Sequence, residues 1–240
     1  MTGSYDFAGK VALVTGVGRK GQVGETVIDA FAACGARLIM IERRAETAHE
    51  QLDAFRARGI DAFAHACDLT DSQALSVLLP NVAAEAPDGV HALVHLAGGF
   101  AASGAVAASD TDSWDRQIAI NLTTAYLTTR TFLPLVRAAR GSIVYFASAA
   151  ALPGAAVAEI SAYAVAKTGV LTLMRAVAAE ERATGVRANA LAPTSIRTAT
   201  NVASLGDNVR YVERDTIARW VLYLTDPSSG PVSGQAFRLG

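Results

Sequence analysis

Tyr163 and Lys167 stand four positions apart in Tyr163-Ala164-Val165-Ala166-Lys167, and in a helix that spacing puts both side chains on one face. A free phenol loses its proton near pH ~10. A neighbouring ammonium stabilises the phenolate and lowers that value, which makes tyrosine a usable acid and base near neutrality. The same spacing occurs on solvated helix faces, so the pair gains chemical meaning only through partners. Ser148 is one candidate: it follows the apolar run Ile143-Val144-Tyr145-Phe146-Ala147, where its hydroxyl either donates to a substrate oxygen or simply starts the next loop. Asn121, inside Ile118-Ala119-Ile120-Asn121-Leu122, is a polar residue in an apolar helical stretch, marking either a buried water site or a locally satisfied amide.

A second group of residues lies near the start of the chain. The run Val11 to Thr15 reads as a strand, Thr15-Gly16-Val17-Gly18-Arg19-Lys20-Gly21-Gln22-Val23-Gly24 follows it, and a helix pattern comes next. In that context glycines let a turn approach a pyrophosphate, and the helix offers free N–H groups and its positive dipole end. An ordinary strand-to-helix turn has the same composition. Eighteen positions after Gly24, Glu42 ends the second candidate strand, where a carboxylate can accept from adenosine ribose hydroxyls and so favours NAD. Arg43 and Arg44, with Arg19 and Lys20, are able to neutralise a 2′-phosphate, which keeps NADP in play, and a solvated strand end is the plain alternative. Asp68 either accepts from an adenine amino group or caps a helix.

These residues need elements to hold them. Short apolar runs alternate with amphipathic or Ala-rich segments along the whole chain, the pattern of a parallel sheet covered by helices on both faces. Strands are expected at 11–15, 37–41, 62–67, 92–96, 143–147, 187–191 and 235–239, and helices at 25–34, 47–58, 72–85, 113–136, 161–184 and 215–224. Val170, Leu173, Met174 and Val177 form an inward stripe in the fifth of those helices. The polar stretch Asn201 to Arg210, with Gly206-Asp207-Asn208, reads as a flexible surface loop. No composition shift or repeat marks a boundary, so residues 1–240 are read as one domain that binds a dinucleotide and carries the catalytic site.

Taken together, the motifs resemble those of the short-chain dehydrogenase/reductase family, from about Gly9 to Gly240. The resemblance rests on Thr15 to Gly24, Glu42, Asp68, Leu96-Ala97-Gly98-Gly99, Asn121, Ser148, Tyr163-x-x-x-Lys167 and Asn189-Ala190-Leu191-Ala192-Pro193, in the family's order. It implies a Rossmann-type, doubly wound, seven-stranded sheet of order 3-2-1-4-5-6-7 and a homotetramer or homodimer. It also implies an NAD(P)-dependent oxidoreductase that interconverts a carbonyl and a secondary alcohol. By the family's mechanism Tyr163 exchanges the hydroxyl proton, Ser148 holds the substrate oxygen, Lys167 lowers the tyrosine pKa and binds the nicotinamide ribose, and Asn121 fixes a water. The cofactor, NAD with NADP as the alternative, falls to Gly16, Gly18, Gly21, Val23, Gly24, Glu42, Arg43, Asp68, Leu69, Ala97, Gly98, Tyr163, Lys167, Pro193 and Ile196.

The sequence departs from the family's pattern in four places. The glycine loop is two residues longer than usual, as is the Ser148 to Tyr163 interval, which carries its extra residues around Pro153 to Glu159. Leu96 replaces an Asn, and Thr194 replaces a Gly, which puts a side chain near the expected nicotinamide position. None of these removes a catalytic group. A short lid, Thr194 to Arg214, and small apolar residues near Phe100, Ala149, Ala150 and Pro153 suggest a neutral or extended substrate.

Composition narrows the remaining classes. With 51% hydrophobic and 18% charged residues the chain is too apolar to be disordered, and a net charge of -1 lacks the positive field of a nucleic-acid or anionic-membrane binder. Cys34 and Cys67, with no paired spacing, argue against a disulfide framework or a metal site and for a reducing compartment. Met1 to Gly9 lacks an apolar core and Val90 to Ala108 is broken by His91, His95 and several glycines, so neither a secretory signal nor a membrane span is read. A cytoplasmic protein acting on a small molecule is expected. A lyase or epimerase that uses NAD(P), and a non-catalytic nucleotide sensor or scaffold on the same fold, are the alternatives.

Overall fold

The computed structural model describes residues Tyr5–Gly240. Met1 to Ser4, part of the stretch read for a signal, lie outside the described residues. Seven strands form one parallel sheet: β1 (Val11–Thr15), β2 (Arg37–Glu42), β3 (Ala62–Ala66), β4 (Ala92–His95), β5 (Ser142–Phe146), β6 (Arg187–Pro193) and β7 (Ala236–Leu239). Their order is β3-β2-β1-β4-β5-β6-β7. Strand order reverses between β1 and β4, whose register brings Thr15 opposite His95, and the carboxyl edge there is where an open α/β sheet offers its crevice.

The central strands are mostly apolar because both of their faces are buried, whereas the edge strands β3 and β7 are only partly covered. On β1 and β2, Val11, Leu13, Ile39 and Ile41 face one core, while Ala12, Val14, Leu38 and Met40 face the other. The first core is closed by α3 (Ser72–Glu85), α5 (Thr124–Ala138) and α6 (Ser161–Glu180), through residues such as Leu75, Phe132 and Met174. The second is closed by α1 (Val23–Ala33), α2 (Ala45–Arg56) and α8 (Arg214–Thr225), through Phe31, Phe55 and Ile217. The doubly wound architecture expected from the alternating pattern is therefore present. Among the described residues no helix is long and apolar enough to cross a membrane.

Two expected elements differ from the sequence reading. The single helix expected over 113–136 is α4 (Thr111–Ile118) and α5 joined by a wider turn, Ala119–Thr123, in which the Thr124 amide reaches back five residues to the Ala119 carbonyl. Helical periodicity continues through such a turn, so the pattern conceals it. The loop expected over 201–210 begins as a helix, α7 (Ala199–Leu205). Thr198 caps it by accepting from the Asn201 amide at 3.1 Å, and Gly206, with φ of 74°, ends it. Polar composition hid a helix too short to show periodicity.

The turn after β1 passes close beneath the start of α1. A Cβ on Gly24 would lie 2.3 Å from the Val17 carbonyl oxygen and 2.4 Å from its Cα. Alanine ordinarily improves a helix over glycine by ~1 kcal/mol. Gly24→Ala is expected instead to lower stability by about 1–3 kcal/mol, the usual cost of overpacking, in urea unfolding. An alanine variant as stable as the parent would show that this contact relaxes freely.

Candidate functional site

The helix α6 carries Tyr163 and Lys167 on its inner face, and the end of β5 supplies their neighbours. Lys167 is buried, and its Nζ donates to the Phe146 carbonyl at 2.8 Å. It stands 5.8 Å from the centre of the Tyr163 ring. Burial lowers the ammonium's pKa to about 8. Burial also pushes the Tyr163 phenol up, and the Ser148 hydroxyl opposes that shift. Burial is the larger effect, and Lys167 is not among the groups that shift the phenol, so Tyr163 keeps its proton at neutral pH. Ser148 itself begins the short turn Ala149–Ala151, accepting from the Ala150 amide at 3.2 Å. The loop-starting reading of that serine is the one this contact bears out, and its hydroxyl also lies beside the Tyr163 phenol.

Phe100, 65% exposed, sets its ring edge-on against Tyr163, with centroids 5.1 Å apart. The extra residues before Tyr163 help to place it. Glu159 adopts a left-handed conformation, with φ of 62°, and its carbonyl accepts from the amides of Ser103 and Gly104 at 2.8 and 3.0 Å. The longer interval is therefore tied to the loop that carries Phe100.

Asn121 is fully buried in the wider turn between α4 and α5. Its Oδ1 accepts from the Gly99 amide at 3.1 Å, and its Nδ2 donates toward the Gly99 carbonyl at 3.0 Å and toward Gln117. Of the two readings left open by the sequence, the locally satisfied amide is the one this side chain adopts. It braces the Gly98-Gly99 backbone, where a Cβ on Gly98 would lie 2.6 Å from Asn121 Oδ1 and 3.3 Å from Lys167 Nζ.

His95 was not singled out as a site residue in the sequence. It ends β4 and bridges Thr15 Oγ1, 3.0 Å from Nδ1, and Thr124 Oγ1, 3.3 Å from Nε2. Thr124 gives its proton to the Ile120 carbonyl at 2.8 Å, so Nε2 donates and Nδ1 accepts from Thr15. Burial, with the Lys167 charge second, holds the imidazole near a pKa of about 3, so it stays neutral.

Beyond this cluster, a cleft of about 490 Å³ runs along the carboxyl edge of β1, β2, β3 and β4. It is lined by eight of the expected cofactor residues: Gly16, Gly18, Glu42, Arg43, Asp68, Leu69, Ala97 and Gly98. Ile41, Cys67, Thr70, Ala119, Ile120 and Thr124 also line it, apolar or small side chains that no motif marked. Glu42 is buried, its Oε1 accepting the Gly18 amide at 2.7 Å; burial raises its carboxyl pKa against the pull of the loop amides. Asp68 accepts from the Thr70 amide and hydroxyl at 2.9 and 2.7 Å, so it serves as a local turn cap while also lining the cleft.

The chemistry of this donor set fits a nicotinamide dinucleotide. A Cβ on Gly16 would come within 2.5 Å of Ala97 Cα, so the turn is held flat against the cleft wall, and no side chain of Gln22 caps the start of α1, which leaves first-turn amides for phosphate. Gly21 sits off the cleft: its amide donates to Glu25 Oε2 at 2.7 Å and its carbonyl accepts from Ala199 at 3.0 Å. Val23 and Gly24 begin α1, Pro193 ends β6, and Ile196 bridges to Val212. Thr194 turns its hydroxyl toward Gly240, whose Cβ, were it present, would lie 2.4 Å from that oxygen. Among the described residues no group of three His, Cys, Asp or Glu is placed to hold a metal.

Comparison with known proteins agrees with this geometry. Residues 10–208 match the family model described as short chain dehydrogenase. The chain is 35% identical over 203 residues to a galactitol 2-dehydrogenase of Rhizobium johnstonii, covering 83% of this chain and 76% of that protein. It is 35% identical over 201 residues to a D-threitol dehydrogenase of Mycolicibacterium smegmatis, covering 81% and 74%. A gluconate 5-dehydrogenase of Burkholderia cenocepacia J2315, solved in complex with NADP and tartrate, superposes with a TM-score of 0.89 at 24% identity, covering 98% of this chain and 95% of that one. At that identity it speaks for the fold.

The buried ammonium has a stability signature. Below pH 8 Lys167 is charged in both folded and unfolded chains, and its desolvation opposes folding. Between about 8 and the unfolded value near ~10.4 only the unfolded chain binds the proton, so stability rises with pH. Against a Lys167→Met variant, the parent should gain on the order of 2 kcal/mol between pH 7.5 and pH 10 in urea unfolding. Parallel pH profiles for the two proteins would mean the ammonium is solvated.

Proposed function

The chain belongs to the short-chain dehydrogenase/reductase family and is an NAD(P)-dependent oxidoreductase of alcohols and carbonyls; we propose that Tyr163 is the acid and base that exchanges the substrate's hydroxyl proton. The observation that carries this reading is the buried Lys167 ammonium under the Tyr163 ring, next to Gly98 of a cleft that suits a dinucleotide. When bound, the nicotinamide accepts hydride from the alcohol carbon or returns it to the carbonyl carbon.

The chain's own residues handle the proton and the oxygen. In oxidation Tyr163, as phenolate, takes the hydroxyl proton as the carbon–oxygen double bond forms; in reduction the phenol gives that proton back. Ser148 donates to the substrate oxygen and also supports the phenolate. Lys167 would stabilise the phenolate electrostatically and hold the nicotinamide ribose, and Asn121 fixes the Gly99 backbone close to Nζ. Glu42 favours NAD, since a 2′-phosphate would meet a buried carboxylate. Phe100 and the Ala149–Ala151 turn offer apolar walls suited to a neutral secondary alcohol or its ketone, and relatives that act on polyols direct the first trials. Residues 1–240 act as one domain. Trp114, Tyr126 and Val165, half-exposed on α4, α5 and α6, offer apolar surface for assembly into a homo-oligomer, and the cytoplasm is the compartment that goes with this reading.

A panel of secondary alcohols, polyols and ketones, read by absorbance of the reduced nicotinamide, identifies the substrate. With it, Tyr163→Phe should lose turnover by about 10² to 10⁴ while cofactor affinity stays within a few-fold, because only the hydroxyl is removed. A Phe variant that keeps most of the parent rate would exclude Tyr163 as the acid and base.

A further inference from the structure

The extended glycine loop contains three left-handed glycines, Gly16, Gly18 and Gly21, with φ of 70°, 77° and 82°. Such a loop has many conformations open to it. Gly18, in its middle, is nevertheless gripped at both of its backbone groups. Its amide donates to Glu42 Oε1 at 2.7 Å, and its carbonyl accepts a hydrogen bond from the Gln51 side-chain amide, which reaches it from α2. Gln51 lies outside the dinucleotide cleft, in a neighbouring cavity of about 250 Å³ beneath the loop. Its other amide atom, Oε1, is buried with no hydrogen-bond partner among the described residues.

That orphaned oxygen is informative. A residue there for packing alone would be better as methionine, of similar length and with no acceptor to desolvate. The glutamine keeps a costly polar atom, and its donor falls on the Gly18 carbonyl, in the peptide unit that follows the one whose amide binds Glu42, so the two contacts pin a flexible glycine from both sides of its Cα. We propose that Gln51 is a positioning residue for cofactor choice: by fixing Gly18 it keeps the loop amide on Glu42 and so holds that carboxylate where it meets the ribose 2′ position. This rests on the reading of the cleft as a nicotinamide dinucleotide site. Released from Gln51, Gly18 turns, Glu42 loses its fixed partner, and the discrimination between a 2′-hydroxyl and a 2′-phosphate weakens.

Binding of NADH and NADPH to the full chain, followed by the fluorescence of bound cofactor, tests this with Gln51→Met and Gln51→Glu. The parent binds NADH more tightly than NADPH. Losing one hydrogen bond to a backbone carbonyl should weaken NADH about five- to tenfold in Gln51→Met, with NADPH much less affected, so the affinity ratio shrinks. Thermal stability of the Met variant should hold or rise, which separates positioning from support of the fold. Gln51→Glu, equal in size but presenting an acceptor to the Gly18 carbonyl, should shrink the ratio further. A ratio within twofold of the parent's in both variants overturns the inference alone. A parent that binds NADH no more tightly than NADPH, or binds neither, overturns it together with the reading of the cleft.

Discussion

Much of this structure depends on one unfavourable burial: the Lys167 ammonium sits out of water, with the Phe146 carbonyl at 2.8 Å as its hydrogen-bond acceptor. A charge in that position raises the cost of everything polar around it and restricts what the neighbours can be. Gly98 has no room for a Cβ between Nζ and Asn121; Asn121 is bound to the Gly99 backbone; His95 is held neutral between two threonines. The apolar sheet that carries this cluster supplies rigidity. Stability is given up at the point where the fold fixes a buried cation, a common pattern for a functional site whose groups are held away from their solvent preferences.

The sheet was readable in the sequence because its central strands are buried on both faces and so appear as unbroken apolar runs, such as Leu38 to Ile41 and Ile143 to Phe146. Strand order needed the family resemblance, since apolar runs of similar composition do not identify their neighbours. Tyr163, Lys167, Ser148 and Asn121 stood out by residue type and position but took their expected roles from the family resemblance, and eight of the expected cofactor residues line one cleft. Other features were invisible for physical reasons. The wider turn at Asn121 coincides with its tertiary contact to Gly99, which no local pattern records. α7 is too short to show a period, and Gln51 looks like any polar residue on a helix until the loop it holds is seen.

The two insertions relative to the family's motifs are accommodated in a similar way. The longer interval before Tyr163 is fastened by the Glu159 carbonyl to Ser103 and Gly104, and the longer glycine loop by Glu42, Gln51 and Glu25 to Gly18 and Gly21. In the glycine loop the Glu42 and Glu25 carboxylates take up the Gly18 and Gly21 amides while Gln51 donates to the Gly18 carbonyl; in the interval before Tyr163 it is the Glu159 carbonyl that accepts, from amides of the facing loop. The insertions are therefore fastened rather than slack: Phe100 stands against Tyr163, and the glycine loop abuts Ala199 of α7.

The central claim is that Tyr163, above the buried Lys167, is the group that meets the reacting oxygen. A crystal structure of the chain with reduced cofactor and a non-reacting ketone analogue tests it most directly. The account predicts the ketone oxygen within hydrogen-bond distance of both Tyr163 Oη and Ser148 Oγ, with the nicotinamide ring facing its carbon and Lys167 Nζ near the ribose. A ketone oxygen bound elsewhere, with Tyr163 Oη turned away or capped by another protein group, would contradict it.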